Sequence, residues 1–263
     1  MPLSIRQNEI VELARAEGRV AVEDLAQRFD VTLQTIRRDL GDLAEAGLVD
    51  RVHGGAVARM GMVNLGYEAR RRLHADAKAA IGAACAAAIP ENSSLILNLG
   101  TTTEAVAQAL IHHSNITVIT NNMNVANILT ANPGCEIMVA GGALRRSDGG
   151  LVGELATQFI EQFKVDYAII GTSALDLDGD MLDYDLAEVR VSRAILQQAR
   201  QRFLVSDHSK LARSAPARIA SLSEIDTFFT DRALPDPLQQ RCADWGTRVR
   251  LCNVGQDDLS PSC

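Results

Sequence analysis

The chain has no CxxC pair, no long apolar run and no excess of positive charge. Each absence excludes something. Its five cysteines, Cys85, Cys135, Cys242, Cys252 and Cys263, are scattered and lie beside few histidines. That spacing argues against a zinc site, and an odd, unpaired set suits reduced thiols. No apolar stretch approaches the roughly 18–20 residues that span a bilayer. The N-terminal MPLSIRQNEIVEL has no apolar signal core, so a cytoplasmic protein without membrane contact is expected. The formal net charge is −7. Any contact with nucleic acid must therefore come from a local surface. Repeats and low-complexity tracts are also missing.

What is present falls into two regimes. Up to about Arg59 the pattern is short helices with polar caps. From about Leu95 onward, short β-branched runs alternate with amphipathic helices. Four parts are expected: a helical head over 1–59, a linker and connecting helix over 60–90, a larger α/β domain over 91–255 and a tail over 256–263.

In the head, Ser4 is a plausible N-cap, and Ile5, Ile10, Leu13 and Ala14 make an apolar helical face up to Gly18. A second helix is read over Val22 to Phe29. Thr32 then caps a third that runs to about Ala46. On a wheel at 100° per residue, Leu33, Ile36, Leu40 and Leu43 form one stripe. Gln34, Thr35 and Arg38 lie away from it, and Arg37 lies on its flank. Arg suits guanine, Gln suits adenine and Thr either. The helix start, with Thr32, favours a phosphate. Asp42 and Glu45 would repel DNA, so contact is expected in the first two turns only. Two short extended runs follow around Arg51, His53, Gly54 and Gly55, which fits a β-wing whose Arg51 and His53 reach phosphate. From Gly47 to Arg72, Arg51, Arg59, Arg70, Arg71 and Arg72 face only Asp50 and Glu68, the local excess that DNA binding needs. Arginines on a helix are more often a solvated face, and that alternative stands on spacing alone.

The second region reads as α/β. Strands are expected at Leu95–Leu99, Ile116–Thr120, Glu136–Ala140, Tyr167–Gly171, Phe203–Ser206, Thr227–Thr230 and Arg248–Asn253. Helices are expected at Glu104–Leu110, Val125–Thr130, Glu154–Phe163, Ala187–Ala199 and Pro237–Trp245. Such alternation implies a parallel sheet covered on both faces, with a ligand at the C-terminal ends of its strands. Gly100, Thr101, Thr102 and Thr103 follow the first strand and make an anion cradle at a helix start. Asn121 and Asn122 follow the second strand, and Gly141 and Gly142 the third. Together they fit one phosphate-containing ligand, although each alone fits an ordinary capped loop. Asp176–Asp180 reads as a turn. Asp183, Asp185 and Glu188 suit either sugar hydroxyls or the start of a helix. Lys210 suits a phosphate or one of these acids.

The segment Thr32-Leu33-Gln34-Thr35-Ile36-Arg37-Arg38-Asp39-Leu40, with Arg6 and Ile10 before it and His53-Gly54-Gly55-Ala56 after, resembles the head of the DeoR family of bacterial regulators. The resemblance runs on through Tyr67–Lys78, Gly100-Thr101-Thr102, Thr120-Asn121-Asn122, Gly141-Gly142, Gly149–Gly153 and Asp207–Lys210. It implies a winged helix-turn-helix head on operator DNA. It also implies a sensor related in fold to ribose-5-phosphate isomerase and glucosamine-6-phosphate deaminase, and a homo-oligomer, dimer or tetramer. The implied function is repression, relieved by a phosphorylated small metabolite, with glycerol 3-phosphate expected and another sugar phosphate as the alternative. The implied phosphate site is Gly100–Thr103 with Gly141-Gly142 near it. Polyol contacts are implied at Asn121, Asp183 and Glu188, with Lys210 close by. No cofactor, metal or catalytic residue is implied; an isomerase or deaminase is the less favoured rival. One position departs: family sensors often carry lysine where this chain has Ser192, so Arg190 or Arg193 is expected to supply that charge.

Overall fold

A computed structural model describes residues 4–17, 19–46, 48–52, 54–58 and 67–252. They form two compact units, Met1–Gly61 and Met62–Cys263, each with its own apolar core.

The first unit holds helix α1 (Ile5–Glu17), strand β1 (Arg19–Ala21), helices α2 (Val22–Phe29) and α3 (Leu33–Glu45), and strands β2 (Val49–Val52) and β3 (Gly55–Ala58). Ser4 Oγ accepts from Gln7 N and Gln7 Oε1 accepts from Ser4 N, a reciprocal cap that starts α1. The backbone at Asp30, at φ 50°, closes α2 in the left-handed region. Thr32 accepts from Thr35 N at 3.2 Å and starts α3. Ile10, Ala14, Leu25, Ile36, Leu40, Leu43 and Val49 pack into one core.

Two expectations change here. Leu33 is 41% exposed, outside the stripe. Side chains on a helix lean toward its N-terminus, and that of the first residue reaches past the packed turn. The wing also gains a strand: β1 pairs antiparallel with β3, in the order β1-β3-β2. A Cβ on Gly55 would sit 1.9 Å from the Val20 carbonyl oxygen. The surface this glycine lets approach is the chain's own first strand.

The second unit begins with helices α4 (Tyr67–Arg72) and α5 (Ala75–Ala87). Strand β4 (Ser94–Leu97), helix α6 (Thr101–Ala109), strand β5 (Ile116–Thr120), helix α7 (Met123–Leu129) and strand β6 (Cys135–Val139) follow. A hairpin of β7 (Ala143–Arg145) and β8 (Gly150–Val152) leads to helix α8 (Glu154–Ile160) and strand β9 (Val165–Ile170). Then come β10 (Ala174–Leu175), β11 (Asp180–Asp183), helix α9 (Leu186–Gln197), β12 (Ala199–Val205), β13 (Ala217–Ser221), β14 (Thr227–Thr230), helix α10 (Asp236–Trp245) and β15 (Arg248–Leu251).

The seven strands expected from the sequence are the seven of one parallel sheet, in the order β15-β14-β12-β9-β4-β5-β6. Alternate residues feed opposite cores: Leu95, Leu97, Ile169 and Phe203 on one side, Ile96, Ala168, Ile170 and Leu204 on the other. This double burial explains why the strands read as continuous apolar runs. α5 is more than a connector. Ile81 and Cys85 are fully buried against the same core as Val106 of α6. A second, antiparallel sheet, β10-β11-β13, was not foreseen. Its β10–β11 turn is the expected Asp176–Asp180 segment, where Asp176 Oδ1 accepts from Asp178 N and Asp180 N.

Candidate functional site

The first unit presents a helix start with exposed polar groups. Gln34, Arg37 and Arg38 on α3 are exposed and Thr35 is half-buried. Thr32 and Thr35 hydroxyls lie 2.9 Å apart, so both serve the cap. Asp39, in the middle of the same segment, is buried and pairs with Arg6 Nε at 2.6 Å. Asp42 accepts from Gln7 at 3.2 Å. These two contacts fasten α1 to α3 and hold the helix that carries the exposed groups. Arg51 on β2 and Gly54 are exposed as well. His53 lies outside the described residues.

The second unit carries a cleft where β4, β9 and β12 end. Its walls are Leu99, Gly100, Thr101 and Thr102 after β4, Gly171, Thr172 and Ser173 after β9, and Val205 with Lys210 at and beyond the end of β12. Asp183 at the end of β11, Glu188 on α9 and Arg70 on α4 complete it. Parallel strands place all their C-termini on one edge, so residues far apart in the chain meet there. The first N–H groups of α6 have no partner within the helix and add a positive dipole end.

Two cations and two carboxylates face this space. Lys210 Nζ makes no hydrogen bond or ion pair among the described residues. Burial lowers its pKa to about 7, with Arg213 adding to the fall and Asp207 opposing it. Burial raises Glu188 to about 7, Asp183 adds to the rise, and Arg145 opposes it. Asp183 Oδ1 accepts from Tyr184 N and Asp185 N, and its Oδ2 has no hydrogen-bond partner among the described residues. Behind this wall Arg145 grips three carboxylates: Asp148 at 2.9 and 2.7 Å, Asp185 at 2.8 Å and Glu188 at 2.7 Å. Burial opposes its charge, yet Asp148 and Glu188 hold its pKa above the ordinary arginine value. The cleft lining therefore combines groups that suit an anion with groups that accept from hydroxyls.

Comparison with known proteins gives this arrangement a family. Residues 6–60 match the DeoR-like helix-turn-helix domain, and residues 73–232 match the DeoR C terminal sensor domain. The chain belongs to the DeoR family. A glycerol-3-phosphate regulon repressor of Escherichia coli (strain K12) is 43% identical over 247 residues, covering 94% of this chain and 98% of that one. Its namesake in Haemophilus influenzae is 42% identical, covering 96% and 98%. The repressor CsqR of Escherichia coli is 37% identical, covering 91% and 92%. Ribose 5 phosphate isomerase A from Neisseria gonorrhoeae overlaps 52% of this chain and 53% of its own, at 12% identity and a TM-score of 0.38, an overlap too partial to bear on function.

Within this DeoR-family sensor, the cleft gathers Gly100, Thr101, Thr102, Asp183, Glu188 and Lys210 of the expected residues. It does not gather the rest. Thr103 is buried and bonds back to the Gly100 carbonyl at 2.7 Å. Asn122 caps α7 and donates to Glu104. Asn121 is fully buried and donates to the Leu151 carbonyl, with its Oδ1 unpartnered. Gly141 and Gly142 lead into the β7–β8 hairpin, away from the cleft lining. In the strand order β5 and β6 lie beyond β4, and the residues at their ends do not line a cleft formed where β4, β9 and β12 end.

The charge expected at Arg190 or Arg193 is elsewhere too. Arg193 donates to the carbonyls of Ile219 and Arg218, and Arg190 is exposed and does not line the cleft. Ser192 is buried and accepts from Asn98 at 2.8 Å. Arg70, counted above among groups for DNA, lines the cleft instead. Gly171-Thr172-Ser173 was legible, since it carries the small, polar strand-end pattern that marked the other loops. Arg145 had no such signal.

Among the described residues no helix is long and apolar enough to cross a membrane, and no cluster of three or more His, Cys, Asp or Glu could hold a metal ion.

Proposed function

We propose that the chain is a repressor that holds operator DNA through α3 and its wing and releases it when a phosphorylated polyol fills the cleft. The observation that carries this reading is the cleft's lining: the start of α6, Lys210 Nζ with no hydrogen bond among the described residues, and the carboxylates Asp183 and Glu188. The α6 start, with Gly100, Thr101, Thr102 and Lys210, takes the phosphate. Asp183 and Glu188 accept from hydroxyls. Gln34, Thr35, Arg37 and Arg38 read base edges and phosphates, with Thr32, Arg51, His53 and the Gly54–Gly55 wing alongside. Release is linkage: the effector binds the low-affinity conformer better than the operator-bound one.

Glycerol 3-phosphate is the effector we propose, in keeping with the repressors named above, and glycerol metabolism genes are the proposed targets. The chain acts as a homo-oligomer, dimer or tetramer, in the cytoplasm. Repressor relatives along nearly the whole chain leave no place for an isomerase or deaminase reading. Operator titrations with glycerol 3-phosphate and with hexose phosphates test the ligand; no response to glycerol 3-phosphate removes it. A second reading keeps the mechanism and changes the metabolite. It is favoured by Ser192, which puts a hydrogen-bonded hydroxyl where family sensors often carry a lysine.

A further inference from the structure

α4 is held almost entirely by polar contacts. None of its residues is fully buried. Tyr67 OH donates to Glu104 Oε2 at 2.8 Å and accepts from Asn124 Nδ2 at 3.0 Å. Lys78 Nζ donates to the carbonyls of Arg70 and Leu73 and so caps the helix's last turn. Arg70 Nη2 donates to Asp148 Oδ2 at 3.3 Å. With Tyr67, Ala69 and Arg70 only partly buried, α4 depends on bonds that a ligand can exchange.

The Arg70 contact is the one most open to exchange. Its guanidinium is a planar fork of five donors, yet among the described residues its one acceptor is at 3.3 Å and its Nε is buried without a partner. Asp148 does not depend on it, because Arg145 holds both Asp148 oxygens at 2.9 and 2.7 Å. Meanwhile Arg70 lines the same cleft as Thr101, Thr102 and Lys210. A phosphate there supplies the planar pair of acceptors that the fork lacks.

We infer that Arg70 is a direct ligand of the effector's anionic group, and that by taking Arg70 the effector changes how α4 is held. α4 follows residues 59–66, which lead from the head, so occupancy of the cleft acts on the first described element after that segment. This rests on the proposed effector cleft.

The test uses the full chain, with effector affinity measured by calorimetry and operator affinity measured with and without saturating glycerol 3-phosphate. Arg70→Gln is expected to weaken glycerol 3-phosphate about 10- to 100-fold, the worth of one charge-assisted hydrogen bond. Arg70→Lys keeps the charge but not the fork and falls between. Tyr67→Phe leaves the ligand's contacts intact: effector affinity without DNA stays at the wild-type value, while the factor by which effector weakens operator binding shrinks. Equal affinity in wild type and Arg70→Gln overturns the inference and spares the cleft. Undiminished weakening in Tyr67→Phe overturns the role of α4. If wild type binds none of glycerol 3-phosphate, ribose 5-phosphate and inorganic phosphate, the cleft reading fails, and this inference with it.

Discussion

The two units solve the problem of placing polar groups in opposite ways. In the head, the exposed groups of α3 lie within seven residues, Thr32 to Arg38, and one helix turns them to one side. Their support is also simple: a cap, an apolar stripe and the Arg6–Asp39 pair. In the sensor, Arg70, Thr101, Thr172, Asp183 and Lys210 come from five separate segments. Thr101, Thr172 and Lys210 meet because parallel strands end on one edge, while Asp183 arrives from the antiparallel β11 and Arg70 from α4. Burial and neighbours reset two charges in the cleft: Lys210 falls to about 7 and Glu188 rises to about 7. A helix surface can change one side chain at a time. A strand-end cleft couples every member to the others.

The sharpest break between the units is expected at Leu40, which is 1% exposed. Leu40→Ala should cost the head about 2–5 kcal/mol, a large share of a small unit's stability. Operator binding is then lost while melting still shows protection by glycerol 3-phosphate; loss of both would mean the units do not fold separately.

Arg38→Ala comes next. It should weaken operator binding by about 1–3 kcal/mol, or roughly 5- to 150-fold, and leave effector affinity unchanged. An unaltered operator affinity counts against α3 as the reading helix.

The cleft should show its coupling through pH. Burial lowers Lys210, and a bound phosphate favours its charged form, so binding takes up a proton. Glu188 gains negative charge over the same range, which strengthens its acceptance from a hydroxyl and opposes the Lys210 effect. The Lys210 part makes affinity for glycerol 3-phosphate fall as pH rises above about 7, by up to about tenfold per pH unit. Lys210→Arg removes that fall, and Glu188→Gln steepens it. A flat Glu188→Gln profile between about pH 7 and 9 contradicts the electrostatics.

The smallest effects concern the departed lysine. Ser192→Ala gives up a buried hydrogen bond to Asn98 and should cost about 1 kcal/mol of stability, read by denaturant midpoint. Arg193→Ala should leave effector affinity alone. A large loss of affinity in Arg193→Ala would restore the charge to where the sequence suggested it.

Much of this was legible from the chain alone, and the misses have reasons. All seven sheet strands were readable because double burial makes continuous apolar runs. β10, with two residues, and β7 and β8, with three each, are too short to show a period. Leu33 has the right spacing for the core and the wrong place along the helix. Gly141-Gly142 and Asn121-Asn122 share the chemistry of Gly100–Thr102, so pattern could not separate them. Arg145 sits in a stretch that reads as a solvated loop, yet it binds three carboxylates from Asp148 to Glu188.

By itself the sequence determined the elements, the division into a reading head and an α/β sensor, and the kinds of group at each strand end. Caps, periodicity and apolar runs are local, and local chemistry decides them. Only the tertiary structure decided which strand ends meet. That choice follows from strand order, which sets β4, β9 and β12 side by side and leaves β5 and β6 further out. It also decided that Arg70 lines the cleft, because its side chain reaches Asp148, distant in the chain.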